Sequence, residues 1–301
     1  MCVVISAFDA AEGLSRAVAS VLNQTYRCVE IVVLDDGSGG RTTEDILKCS
    51  ESIRCQLSST QGRAAARNAA IRRGGGELIA LLNGNDAWTS DKLERCVGFL
   101  RQHPECDVVY TPMAVMDTRS EGAARQVVEC PEGWILDELF AEDTIGDSSA
   151  VFHRRVWERL GGFDESLPLS ISHNFWLRVA VAHRFGLIRE PLTLCSMSES
   201  RPPIAAVSRA LRVRAEMLHR FYEEQGGRAR LDGDRARRVL GQLCLRAGWL
   251  ALQAGDPAYS ARLFRGATIY RPGWLSRLYF AYADWRRRQA GQPTIEAPVL
   301  T

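Results

Sequence analysis

The 301-residue sequence has no C-x-x-C pair, no long apolar run and only two lysines, Lys48 and Lys92. Its nine cysteines are scattered singly. The number is odd and most lie in apolar runs, as at Cys2, Cys28 and Cys244, which points to buried, reduced thiols in a reducing cytosol. No segment reaches the roughly 18 apolar residues of a membrane span. The chain enters a strand-like run at Cys2–Ile5 with no basic stretch before it, so no signal peptide is expected. The shortage of lysine fits a GC-rich genome as readily as any function. With 46% hydrophobic, 25% charged and 8% aromatic residues, disorder, collagen and coiled-coil rods are excluded. The length allows one large domain or two modest ones, each with a real core.

The net charge of +2 conceals an asymmetry. Residues 1–200 hold 20 basic and 28 acidic side chains, and residues 201–301 hold 18 and 8. A basic second region of this kind suits either a solvated helical face or an acidic partner such as anionic lipid.

The first hundred residues alternate strand and helix signals. Strands are expected at Cys2–Phe8, Glu30–Leu34, Ile53–Leu57, Glu77–Leu82 and Asp107–Thr111. Helices are expected around Leu14–Leu22, over Thr42–Cys49 and Ala64–Arg73, and over Ser90–Gln102 with Thr89 as its cap. Such alternation predicts an α/β fold, a mostly parallel sheet covered by helices on both faces. Ligands in these sheets bind beyond the carboxyl ends of the strands, where Asp9, Asp35, Asp36, Asn83, Asn85 and Asp86 fall. Residues 113–150 read as a strand pair or as a loop crossing the site. Val151–Leu160 reads as strand into helix, and Asn174–Ala182 as a helix. Beyond Pro202 and Pro203 the pattern is helical, with Gly248–Pro272 resembling one tetratricopeptide-like hairpin. Two regions follow, 1–200 and 201–301.

Five stretches occur in order: VVISAFDAAEGLSRAVASVLNQTY from Val3, EIVVLDDGS from Glu30, GRAAARNAAIRRGGGELIALLNGNDAW from Gly62, SSAVFHRRVWERLGGFDESL from Ser148, and FWLRVA from Phe175. Together they resemble family 2 glycosyltransferases, inverting enzymes with the GT-A fold. The resemblance implies hexosyl transfer from a nucleotide sugar, a UDP-sugar foremost, to a glycan or lipid-linked acceptor. It implies a nucleotide site of Ser6, Phe8, Asp9, Asp35, Asp36, Gly62 and Arg67, and Mg²⁺ or Mn²⁺ at a D-x-D motif. Cysteine usage points to the cytoplasm, the basic helical end suits peripheral membrane contact, and no nucleic-acid partner is expected.

Three departures from the family pattern carry chemistry. The metal motif is here Asn83-Gly84-Asn85-Asp86, and an amide oxygen ligates a hard cation without supplying charge. The acidic pair that provides the general base falls on Ile171 and Ser172, and no Asp or Glu lies between Glu165 and Trp176. His173 is the titratable group in that gap, a base at neutral pH or else a surface or capping residue. The element that contacts the diphosphate is replaced by Cys195-Ser196-Met197-Ser198. These losses leave two functions open, an active transferase with an altered site and an inactive relative that binds nucleotide sugars or acts as a scaffold.

Overall fold

A computed structural model describes residues 1–6, 13–35, 53–57, 62–116, 130–196 and 202–292. They divide into a sheet unit and a helical unit. The first comprises Met1–Leu139, Asp143–Ser166 and Ile171–Ser198, and the second comprises Phe140–Glu142, Leu167–Ser170 and Glu199–Thr301.

In chain order the sheet unit begins with β1 (Cys2–Ser6), α1 (Leu14–Leu22), β2 (Glu30–Asp35), β3 (Ile53–Leu57), α2 (Arg63–Arg73), β4 (Leu78–Asn83) and β5 (Ala87–Trp88). It continues through α3 (Lys92–Gln102), β6 (Cys106–Tyr110), β7 (Met113–Met116), α4 (Leu136–Ala141, whose last two residues belong to the second unit) and a 3₁₀ turn at Asp147–Ser149. It ends with β8 (Val151–His153), α5 (Arg154–Leu160), α6 (Ile171–Ala180), β9 (Arg184–Leu187) and β10 (Thr193–Ser196). Seven strands form one sheet in the order β3-β2-β1-β4-β8-β6-β9, and β5-β10-β7 form a second. The first sheet is parallel except at β8, which runs against both β4 and β6. All five residues of β1 are buried, as a strand covered on both faces requires. On α1 the buried residues Leu14, Ala17, Val18 and Val21 repeat at helical spacing and pack against Val3, Ile5, Ile31 and Val33 in the core. Beneath α6 the rings of Phe152, Phe163, Phe175, Trp176 and Phe185 form a connected aromatic cluster.

The expected α/β architecture is present, with differences at element ends. The first strand is described over Cys2–Ser6, and the remaining two residues of the expected strand, 7 and 8, lie outside the described residues. The helix expected from Ser90 begins at Lys92 with Asp91 at its cap position, and the Thr89 hydroxyl donates to Asp91 instead of capping the helix. The helix expected from Asn174 begins three residues earlier, at Ile171, because the apolar face continues back through that buried side chain. Within 113–150 the described residues hold β7, α4 and the 3₁₀ turn, and residues 117–129 lie outside the described residues. Cys28 is exposed, against the expected burial, whereas Cys2, Cys96, Cys106 and Cys244 are buried and unbridged. The helix expected at Thr42–Cys49 lies outside the described residues.

The helical unit contains α7 (Ile204–Glu224), α8 (Gly227–Arg230), α9 (Gly233–Gln253), α10 (Pro257–Tyr270) and α11 (Trp274–Gln289). The expected hairpin is the α9–α10 pair. Asp256 caps α10 by accepting from the Tyr259 amide, and Pro257 occupies the first turn. Ala215, Ala247, Ala251, Tyr259 and Leu263 make one small core, and Ala261, Phe264 and Ala283 another. Gly248 lets the pair close, since a Cβ there would come within 2.7 Å of the Phe264 ring.

Candidate active site

Strand register sets the site. Ser6 lies level with Leu34 of β2 and with Asn83 of β4, and Asp35 follows Leu34 as the last residue of β2. Three parallel strands therefore end in one row, and the Gly84 amide donates to the Ser6 carbonyl at 2.8 Å. Beyond this row is a cavity of about 330 Å³ lined by Ser6, Arg63, Arg67, Asn83, Gly84, Asn85, Asp86 and Ser196. Phe8, Asp9 and Asp36 lie outside the described residues, and for Asp35 only its place in β2 is described.

The loop Asn83–Asp86 is braced from two sides. The start of α1 approaches so closely that a Cβ on Gly13 would sit 2.5 Å from both Asn85 Oδ1 and the Gly84 carbonyl. One turn on, Arg16 donates to the Asn85 carbonyl at 3.0 Å. On the other side, the Ser148 hydroxyl donates to Asp86 Oδ2 at 2.5 Å and accepts from the Asn83 amide at 2.9 Å. Asp86 also receives the Asn83 side-chain amide at 3.4 Å and the Ser196 backbone amide at 3.4 Å. Burial pushes the Asp86 carboxyl above the usual range, and the nearby Asp147 charge adds to that rise while the hydrogen bonds oppose it.

Arg67 enters from α2, whose start follows Gly62 at φ 93°. The side chain is 6% exposed. Its Nη1 is 2.7 Å from Asp147 Oδ2 and donates to Ser172 Oγ at 2.8 Å. Ser172 Oγ in turn donates to the same carboxylate oxygen at 2.6 Å. Asp147 Oδ1 is buried and has no hydrogen-bond partner among the described residues. Asn68, next to Arg67, is a structural clamp. Its side chain donates to Phe163 O and Glu165 and accepts from Phe163 N and Trp157.

His173 faces the interior, not the surface. It is 1% exposed and its Nε2 is 2.7 Å from the Leu139 carbonyl. It is absent from the cavity lining, whereas Ser172 is bonded to the Arg67 that lines it. Ile171 is buried in the first turn of α6.

The fit to a divalent cation is poor. Asn83 and Asn85 offer amides, and both oxygens of Asp86 already accept hydrogen bonds. Among the described residues no group of three or more His, Cys, Asp or Glu side chains could hold a metal. Hard cations depend on ligand charge, and this loop supplies a single carboxylate.

Asp147, Ser148 and Arg63 were not singled out by sequence reasoning. Asp147 lies 25 residues from Ser172 in the chain, and only the turn at Asp147–Ser149 joins them. The acidic stretch before Ser148, which reads as a strand pair or as a loop crossing the site, was the available signal.

The model for glycosyl transferase family 2 matches residues 2–159. A glycosyltransferase of Escherichia coli, UDP-Glc:alpha-D-GlcNAc-diphosphoundecaprenol beta-1,3-glucosyltransferase WfgD, is 34% identical over 101 residues, covering 33% of this chain and 40% of that protein. The putative teichuronic acid biosynthesis glycosyltransferase TuaG of Bacillus subtilis is 28% identical over 157 residues, covering 50% and 61%. An uncharacterized glycosyltransferase of Nostoc is 38% identical over 99 residues, covering 32% and 31%. The matches thus span less than two thirds of these relatives. Among solved structures, S. aureus TarS 1–349 in complex with UDP-GlcNAc superposes with a TM-score of 0.60 at 13% identity, covering 98% of this chain and 93% of that one. The mannosyltransferase PcManGT of Pyrobaculum calidifontis, in complex with GDP-Man and Mn²⁺, gives 0.55 at 18% identity, covering 96% and 85%. At these identities the likeness shows the fold, that of GT-A glycosyltransferases.

Proposed function

Because the chain belongs to glycosyl transferase family 2, we propose that it binds a nucleotide sugar, a UDP-sugar foremost. It transfers the hexosyl group with inversion to a glycan or lipid-linked acceptor. In this reading it acts in the cytoplasm, with peripheral contact to the membrane. Ser6, Phe8, Asp9, Asp35 and Asp36 meet the nucleoside, and Gly62 and Arg67 the diphosphate. The observation that carries the reading is Arg67, a buried guanidinium facing the Asn83–Asp86 loop across one cavity at the strand ends. A planar guanidinium is matched to phosphate oxygens. Arg63, which lines the same cavity, adds a second positive charge. Together the two arginines take the part that a divalent cation plays where the loop is carboxylate-rich. The leaving diphosphate is stabilised by side chains fixed before the bond breaks.

Transfer with inversion also needs a proton acceptor for the attacking hydroxyl. Asp147 is the carboxylate bonded to Ser172 at the base position, and in this reading the acceptor proton passes to it. The bond from the anomeric carbon to the diphosphate breaks as the bond to the acceptor oxygen forms, and the nucleotide leaves as its diphosphate.

A second reading, a nucleotide-sugar-binding or scaffolding module without turnover, is favoured by the engagement of Asp147 Oδ2 with both Arg67 and Ser172. Calorimetry with UDP and GDP, each with and without Mn²⁺, followed by nucleotide release from a panel of nucleotide sugars, separates the two. Binding unchanged by Mn²⁺, with release abolished in Asp147→Asn, supports the transferase. Binding without release from any donor supports the module. Strictly Mn²⁺-dependent binding, or none, overturns the arginine-based site.

A further inference from the structure

Of the nine large apolar side chains exposed among the described residues, five lie on α11: Trp274, Leu275, Leu278, Tyr282 and Trp285. Their exposures run from 40% at Tyr282 to 73% at Trp274. Single exposed apolar residues are ordinary, but a contiguous stripe on one helix is not. At the helical period these five positions fall within about 100° of arc. The buried positions of the helix, Ser276, Ala283 and Arg287, lie on the opposite side. The helix therefore has two apolar faces, one packed on Ala261 and Phe264 and one turned outward.

The rims of the outward stripe are cationic. Arg277 and Arg288 flank it on one side and Arg286 on the other, all three exposed. The helix has four arginines against one acid, Asp284. That acid lies off the stripe and is bonded to Arg287 and Arg288. Tyr282 stacks against Trp285 with ring centroids 6.1 Å apart, and its hydroxyl accepts from Arg286 at 3.2 Å.

We propose that α11 is a membrane-surface anchor. The helix lies in the plane of an anionic bilayer, with Trp274, Leu278 and Trp285 at the level of the headgroups and upper acyl chains, and Arg277, Arg286 and Arg288 on lipid phosphates. Tryptophan and tyrosine favour that depth because each has an apolar ring and a polar edge. Sixteen residues make a helix about 24 Å long. Among the described residues no helix is long and apolar enough to cross a membrane, so contact is interfacial. A second copy of the chain is a poorer occupant. Self-packing of the stripe would bring arginine rims together, and the helix's one carboxylate is already bonded to its own arginines. This anchor holds whether or not the sheet unit turns a donor over.

Flotation of the full chain with vesicles tests the proposal. One set is equal parts phosphatidylcholine and phosphatidylglycerol, the other phosphatidylcholine alone. The chain should float with the anionic vesicles, lose that binding at high salt, and float little with the neutral ones. Trp274→Ser combined with Leu278→Ser and Trp285→Ser should abolish flotation. Each of Arg277→Gln, Arg286→Gln and Arg288→Gln should weaken it by about fivefold. Circular dichroism and thermal unfolding of each variant establish that the helices are intact. Absence of flotation in the parent chain overturns the anchor, as does flotation that survives the triple serine variant with its fold intact. Light scattering that shows a dimer of the parent, converted to monomer by the triple variant, assigns the face to a second copy and equally overturns it.

Discussion

The sheet unit and the helical unit handle charge in opposite ways. In the sheet unit, charged side chains are drawn inside and given fixed partners. Arg154 donates to three carbonyls, of Ile71, Gly74 and Gly76, at 2.6 to 2.8 Å. Lys92 is fully buried, bonded to the Ser149 carbonyl and the Thr193 hydroxyl, with its ammonium above the Trp88 ring. Arg67 is locked to Asp147. In the helical unit the exposed α11 arginines line a surface, and the core is built from alanines and a few rings. The reason is backbone satisfaction. Helices meet their own hydrogen bonds and need only small residues to pack closely, whereas loops at strand ends leave carbonyls and amides that side chains must meet. A unit with a site at its strand ends therefore fills its interior with ionic connections, whereas the helical unit carries most of its ion pairs at the surface, as Arg237 with Asp234 and Arg228 with Glu223.

The contrast is sharpest where a buried pair is broken. Asp147→Ala leaves Arg67 buried without its counter-charge and should cost about 3–5 kcal/mol in urea unfolding. A loss under about 1 kcal/mol would mean that the pair is solvated and the interior of the sheet unit is not ionic in the sense argued. Next in size is Gly162→Ala. Gly162 has φ 86° and a new Cβ would meet Asn68 Oδ1 at 2.5 Å, so a loss of about 2–3 kcal/mol is expected. The neighbouring Gly161, at φ 70° with no atom within 4 Å of its Cβ position, should lose only about 1 kcal/mol. Equal losses at the two glycines would remove the Asn68 clamp from the account.

A pH effect is smaller and has a definite sign. Burial holds the Lys92 ammonium down to about 8 from its usual 10.5. Between those values the unfolded chain binds more protons than the folded one, so the Lys92 contribution to stability rises with pH. It is lost as pH falls through about 8. In a Cys96→Ala background, which removes the adjacent thiol, the Tm of the Lys92 chain should gain on that of Lys92→Met from pH 8 to pH 10. A flat difference would show that water reaches the ammonium. The smallest effect belongs to the helical unit. Trp274→Ser and Trp285→Ser should each change stability by no more than about 0.5 kcal/mol, although both remove large apolar side chains. A loss near 2 kcal/mol in either would show that α11 is packed rather than presented.

Part of the candidate cavity's lining was legible in the sequence. Alternating apolar runs and helical spacings located β1, β2, β3 and β4, and the polar end of β4 named Asn83, Asn85 and Asp86, whereas Ser6 was named from the family resemblance. Arg67 was named from the stretch after Gly62. Local pattern reaches this far because each residue's role follows from its own element and that element's end. Asp147 was not legible, because nothing local marks a carboxylate that meets a serine 25 residues on. His173 looked titratable and available from its neighbours alone, and the register of α6 turned it inward.

The sequence by itself determined the order of the elements, the parallel sheet, the loss of acidic residues from the loop at Asn83 and from the start of α6, and the basic helical end. Those are properties of periodicity and residue type. Tertiary structure alone decided that Asp147 comes to Ser172 and Arg67, that both Asp86 oxygens are occupied, and that the apolar residues of α11 divide between a buried and an outward face. Each of these depends on contacts between distant segments. The side chains involved are the same in any register, and only the packed chain selects which of them meet.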